Sequence, residues 1–273
     1  MKISLKRGAL LALLGSLLAP FANAWADAAL DTALAGPQRS EANRARDVYR
    51  HPAQTLAFFG IKPDMTVVEI MPGAGWYTEI LAPYLRDKGK LFAAHFPLDT
   101  SSDYGKKAIA AFTQKLAATP AVYDRVLLTP FQPPQQVNIA PPGSADAVLT
   151  FRNVHNWLKD EGEVAVFKAA FTALKPGGVF GVVDHRAKPG TTREQSVASG
   201  YTAEQLVIDG ATKAGFVLEE KSEINANPKD TKDYAKGVWT LPPSYVEGDK
   251  DKAKYQAIGE SDRMTLRFRK PAK

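Results

Sequence analysis

Short β-branched runs alternate along this chain with longer stretches whose apolar positions recur every three or four residues. Strands and amphipathic helices taken in turn give that pattern. Strands are predicted at Val67–Ile70, Leu91–His95, Val126–Leu128, Ala147–Phe151, Val179–Asp184, Phe216–Lys221 and Met264–Phe268. Between them lie helical patterns. One, from Ala42 to Phe59, is interrupted at Pro52; another, from Trp76 to Arg86, carries Pro83, which shortens or kinks it. A third, from Ser102 to Ala118, lines up Ala108, Ile109, Phe112 and Leu116 on one face. Two more run from Asp160 to Leu174, closed by Pro176-Gly177-Gly178, and from a Thr202 cap to Gly215. Alternation of this kind predicts an α/β fold with a mostly parallel sheet and helices on both faces.

Two stretches fall outside the alternation. Residues 130–142 form a proline-rich loop before the fourth strand. Residues 223–262 are long for a connection, with charge-rich ends around an apolar Val238-Trp239-Thr240-Leu241 centre. Such a length suits either a lid or a disordered excursion.

The N-terminus changes the length to be folded. Lys2, Lys6 and Arg7 precede an apolar run from Gly8 to Ala19 and an Ala22-Asn23-Ala24 site, the build of a secretory signal peptide cut after Ala24 or two residues later. The run is short for a bilayer and no cysteine follows it, so an exported, periplasmic protein without stable membrane insertion is expected. Residues 25–273 then make one domain with a full core, carrying the 223–262 excursion. Without the three leader cations, 32 basic residues face 29 acidic ones, an excess too small and too spread to suggest nucleic acid. The absence of cysteine excludes disulfides and thiol chemistry and suits an oxidising compartment.

Candidate chemistry begins where the first strand runs into Met71-Pro72-Gly73-Ala74-Gly75-Trp76. Glycines between a buried strand and a helix let backbone amides approach a ligand over the helix N-terminus, and the acidic Glu69 suits ribose or amino groups better than phosphates. An ordinary tight strand-to-helix turn is the simpler alternative. The four histidines add a second observation. His95, His155 and His185 each fall at or just past the C-terminal end of a predicted strand, where open α/β sheets bind ligands, and His51 lies in the preceding helical segment.

The order of motifs, Glu69 to Thr78 with Leu-Ala-Pro-Tyr-Leu behind it, then Leu174-Lys-Pro-Gly-Gly to Asp184-His185, then Ala214-Gly-Phe216, resembles the class I S-adenosylmethionine-dependent methyltransferases. Within them the chain is most similar to bacterial exported methyltransferases sharing Tyr49-Arg-His-Pro and Arg152-Asn-Val-His-Asn-Trp157. The resemblance implies a Rossmann-like, seven-stranded sheet whose antiparallel last strand inserts between strands five and six. It also implies S-adenosyl-L-methionine as cofactor, with Glu69, Gly73 and Gly75 lining its methionine and ribose portions; Tyr77, His95 and Asn153 are further candidate cofactor contacts, and the acceptor is expected to be a small or envelope-located molecule. Two positions depart from that pattern: Met71 replaces the first glycine of the loop, and His95 ends strand two where an acid is usual. Asp99 is a nearby substitute for that acid, and Phe131 a candidate to pack on adenine.

For catalysis, His155 is the candidate base, with Asp184 and His185 in the same wall. Arg152, Asn156, Arg186 and His51 are the candidate substrate contacts, Arg186 suiting a carboxylate or phosphate held bidentately. Salt bridges at loop roots would equally explain both arginines. Two other functions remain open: a non-catalytic exported module binding a nucleoside-like molecule, and hydrolysis on a metal held by His95, His155, Asp184 and His185. The histidines lack a close ligand spacing, so no metal is expected.

Overall fold

The structure, a computed structural model, describes residues 27–272; the expected signal peptide lies outside the described residues. Its centre is a seven-stranded sheet. In chain order the strands are β1 Thr66–Ile70, β2 Lys90–His95, β3 Val126–Pro130, β4 Ala145–Phe151, β5 Leu174–His185, β6 Val217–Ser222 and β7 Arg263–Arg269. They lie in the order β3-β2-β1-β4-β5-β7-β6. From β3 to β5 every pairing is parallel, and β7 runs antiparallel between β5 and β6. The Rossmann-like arrangement expected from the sequence is the one found.

Alternation along each strand sorts side chains onto two faces. Val68, Ile70, Val148, Phe180, Val182 and Phe268 pack on one face against Phe167 and Val207, from the helices Gly162–Ala173 and Glu204–Lys213. On the other face Val67, Leu91, Leu149 and Val183 pack against Leu56, Ile80 and Leu81, from the helices Pro52–Phe58 and Thr78–Leu85. Leu30 and Ala33 of the helix Ala28–Ala35, capped by the Asp27 carboxylate, extend that second face.

Local chemistry explains where elements differ from expectation. The Ala42–Phe59 pattern resolves into three short helices, Glu41–Arg44, Asp47–Arg50 and Pro52–Phe58. The residue before a proline avoids the helical region, and His51 takes φ 40° there. Thr202 does not cap its helix: its hydroxyl donates to Asp184 at 2.9 Å, and the helix begins behind Ala203. An unanticipated helix, Arg193–Ser199, opens with a capping box between Thr192 and Gln195.

The 223–262 excursion is ordered and tied to the body. Asn225 donates to Thr55 and Thr265 and Tyr201 to Asp230, while Asn227 joins the two ends of the segment itself through the carbonyls of Ile258 and Glu260. Gly237 sits so close to the end of the helix Arg193–Ser199 that an added Cβ would lie 2.1 Å from the Ser199 carbonyl oxygen. The excursion therefore covers the C-terminal edge of the sheet.

Candidate functional site

The loops leaving β1 and β4 each begin with a non-glycine residue in the left-handed region, Met71 at φ 51° and Arg152 at φ 61°. That conformation costs roughly 1–2 kcal/mol per residue, and such strain concentrates at functional loops. The departure noted at Met71 is thus resolved: methionine adopts the backbone turn that glycine would allow freely. Asn153 holds the two loops together, its Nδ2 donating to the carbonyls of Ile70 at 3.0 Å and Met71 at 3.2 Å and to the Thr150 hydroxyl at 3.1 Å.

Above these loops lie two adjoining cavities of about 660 and 340 Å³. Met71, Gly73, Tyr104, Asn153 and Asn156 line both. The smaller lies between His95 and Phe96 on one side and Gln132 and Trp157 on the other. The larger runs past Arg152, His155 and His185 to Trp239 and Glu260 of the covering segment. Gly73, at φ 58°, has no atom within 4 Å of where a Cβ would stand, so its backbone is open to both hollows.

Three residues expected on the cofactor face elsewhere. Glu69 is buried and lines neither cavity; its carboxylate accepts a bond from the Thr78 hydroxyl at 2.6 Å. Burial pushes its carboxyl up to about 7, against the lowering effects of Thr78 and Lys115. Gly75, at φ 82°, faces the helix Asp103–Ala118, where an added Cβ would meet the Phe112 ring at 3.1 Å. Tyr77 is buried and stacked on Phe151, ring centroids 3.5 Å apart.

His95 reaches the smaller cavity with both ring nitrogens engaged. Its Nδ1 accepts from the Phe96 N–H at 2.7 Å, so Nε2 carries the proton and donates to the Gly73 carbonyl at 3.1 Å. Burial holds its pKa below the ordinary histidine value, although the Gly73 bond opposes this. His95 thus shapes the glycine loop. Asp99 is exposed and lines neither cavity, and Phe131 is a core side chain set edge-on to Trp157.

The residues expected to carry catalysis come together. Asp184, fully buried, accepts from the His155 backbone N–H at 2.9 Å, from the Thr202 hydroxyl, and from His155 Nδ1 at 3.0 Å. That leaves His155 Nε2 for the cavity the ring lines. The His185 ring is 5.1 Å away, with Nδ1 2.5 Å from the Ser261 hydroxyl. Burial first, then His155 and the arginines Arg152, Arg263 and Arg50, hold His185 well below its ordinary pKa, so it is neutral at pH 7.

Ligand atoms of His155, Asp184 and His185 lie within 4.8 Å of one another, close enough for a metal in principle. Asp184 already accepts three bonds, and the arginines that discharge His185 would repel a cation. His95 stands apart at the smaller cavity.

Among the substrate candidates, Arg152 and Asn156 line the larger cavity. Arg186 does not: its guanidinium is held bidentately by Glu223 at 2.6 and 2.7 Å and by Asp262 at 2.9 and 3.0 Å, the loop-root salt bridge. His51 faces a separate hollow of about 260 Å³ with Asn225 and Arg263. Sequence reasoning missed Phe96, Tyr104, Trp239, Arg46 and Glu260. The first two follow strand two and were within reach of the edge argument; Arg46 sits in a run of charges and Glu260 at the end of a long excursion, where neither stands out.

No protein-family model matches the chain, and no curated protein matches it in sequence. Solved structures do share its fold. A SAM-dependent methyltransferase from Aquifex aeolicus aligns with a TM-score of 0.53 at 15% identity, over 83% of this chain and 93% of that one. Geranyl diphosphate C-methyltransferase from Streptomyces coelicolor, solved with Mg2+, geranyl diphosphate and S-adenosyl-L-homocysteine, aligns at 0.53 and 14% over 88% and 87%. The cyclase SpnF aligns at 0.54 and 16% over 88% and 86%.

Proposed function

We propose that this protein is an S-adenosylmethionine-dependent methyltransferase acting on a small-molecule acceptor outside the cytosol. One observation carries the reading: an open glycine loop and an Asp184-oriented histidine share one two-part cavity at the C-terminal edge of a sheet ordered β3-β2-β1-β4-β5-β7-β6. The residues fit the cofactor. The smaller cavity offers Phe96 and Trp157 to a base, the Met71–Gly73 backbone forms the bridge, and the larger cavity leaves room for the methionine end and an acceptor.

When bound, the cofactor supplies a methyl group activated on a sulfonium. The chain's own part is alignment and proton removal. Asp184 fixes the ring of His155 by a bond at Nδ1, so Nε2 is aimed to take the proton of an acceptor hydroxyl or amine as the new bond forms. Neutral His185 fills the wall beside it without adding charge, and Trp239 closes the cavity 6.3 Å from the His155 ring. Asn156 offers an amide to either ligand.

Calorimetric titration with S-adenosylmethionine and S-adenosylhomocysteine tests the reading. Both bind the wild-type protein, and Gly73→Ala weakens them at least tenfold, an outcome equivalent to about 1.4 kcal/mol. Gly190→Ala is the control, also at positive φ (81°) with nothing near its Cβ, and binding there is unchanged. Absence of binding to the wild type would sink the proposal.

The inward commitment of Glu69 and His95 favours a second reading. A non-catalytic exported module would bind a nucleoside-like molecule in the smaller cavity, and it would stay stabilised by adenosine while ignoring the sulfonium. An exported chain meets S-adenosylmethionine only if the cofactor is supplied outside the cytosol, which gives this reading its interest. Zinc at one equivalent in untagged protein would instead revive hydrolysis at His155, Asp184 and His185.

A further inference from the structure

At the far wall of the larger cavity four guanidinium groups gather about one carboxylate. Glu260 accepts from Arg46 Nε at 2.6 Å and from Arg50 Nε at 3.1 Å, and Arg263 Nη1 lies 3.1 Å from the same carboxylate. Arg152 lines the cavity beside Arg46 and Glu260, and among the described residues its guanidinium has neither a hydrogen bond nor an ion pair. The Nη2 atoms of Arg46 and Arg50 are buried without a partner, and Arg50 as a whole is 2% exposed. Buried charge in this excess is costly unless something answers it, and an unpaired buried donor costs roughly 1–3 kcal/mol.

The same imbalance marks the titrating groups. Burial opposes the charge of Glu260, yet Arg50, Arg263, Arg152 and Arg46 hold it down to about 2. Burial, with the repulsion of Arg263 and Arg46, brings Arg152 down to about 10 although Glu260 opposes this. Around the cluster the facing groups are His155, just after β4, and His185, at the end of β5, with Asp184 beneath them, and Trp76, whose ring lies 4.6 Å from the Arg50 guanidinium carbon. None of these supplies a second negative charge inside the cavity.

We propose that Arg152 and Arg46, backed by Arg50 and Arg263, bind an oxyanion of the acceptor, a carboxylate or phosphate, and hold it against the wall that carries His155. The proposal rests on the methyltransferase reading for the word acceptor, while the oxyanion site itself stands on the arginine cluster. Planar guanidiniums with free donors suit a bidentate oxyanion, and the nucleophile of such an acceptor would lie between the anchored end and the glycine loop.

The test uses inorganic phosphate on the full protein at constant ionic strength. Phosphate at ten times its dissociation constant raises the melting temperature by about 3 °C over chloride, and Arg152→Gln loses this rise. Arg152→Lys keeps part of it, which separates a lost site from a misfolded chain. S-adenosylhomocysteine and methylthioadenosine, which lacks the carboxylate, form the second arm. Arg152→Gln changes the affinity of neither by more than about twofold if the oxyanion belongs to the acceptor. Tenfold weakening of S-adenosylhomocysteine alone would assign the arginines to the cofactor's carboxylate and overturn the proposal. So would a wild-type protein indifferent to phosphate. If the cofactor fails to bind but phosphate still protects, the methyltransferase reading falls and the oxyanion site stands.

Discussion

Glu69 illustrates how burial decides what a carboxyl can do. The strand pattern marked it as an acid at the end of β1, which is where it is, but the alternation that buries Val67 turns Glu69 to the same covered face, toward Thr78. Its ordinary value of 4.5 is raised to about 7, so between those values the folded chain keeps a proton that the unfolded chain has released. Its contribution to stability is complete below pH 4.5 and is lost as the pH rises through 7, by roughly 3 kcal/mol. Urea unfolding at pH 5 and pH 8 should show this loss in the wild type and a much smaller one in Glu69→Gln; matching losses would contradict the assignment. His155 and Asp184 were legible as a pair because one follows and the other ends predicted strands that lie side by side. Arg186 was not, since its partners Glu223 and Asp262 come from a segment whose path no local pattern reveals.

Among the elements, the covering segment most affects the site and was least visible beforehand. Its composition allowed either a lid or a disordered excursion; side-chain amides of Asn225 and Asn227 and the Asp230–Tyr201 bond decide in favour of an ordered cover, through partners up to 170 residues away. Gly237 is the tightest point of that attachment. Gly237→Ala must push the cover off the helix Arg193–Ser199, exposing the chain at Lys229 and Lys236, both already on the surface. Limited trypsin digestion should then cut there roughly tenfold faster, an opening cost lowered by about 1.4 kcal/mol, with the global melting transition little changed. Unchanged cleavage would mean the cover is held elsewhere. Most strands, by contrast, were read to within two residues, because buried strands leave continuous apolar runs; β5 is the exception, beginning at Leu174 and carrying through the Pro176-Gly177-Gly178 stretch expected to close the preceding helix.

For the whole molecule, the sheet order followed from the sequence only through the resemblance, since periodicity alone does not say that the last strand returns between β5 and β6. Among the described residues no helix is long and apolar enough to cross a membrane. Export is the proposal that belongs to this scale. Expressed in a bacterium with its leader, the protein should be recovered from the periplasm with Trp25 as its first residue, or Asp27 if the later site is used, and a full-length cytosolic product would contradict it. The arginine cluster was illegible for a similar reason. Arg46 and Glu260 meet across 214 residues, and nothing in either neighbourhood names the other.

That span has a consequence for how the protein comes to exist. Arg46 and Arg50 are synthesised early, whereas Glu260 and the inner strand β7 arrive among the last residues. A nascent chain therefore has neither the carboxylate that gathers its arginines nor the strand that joins β6 to the sheet. The glycine loop after β1, made long before, must wait for the strand made last of the seven before its cavity has a far wall.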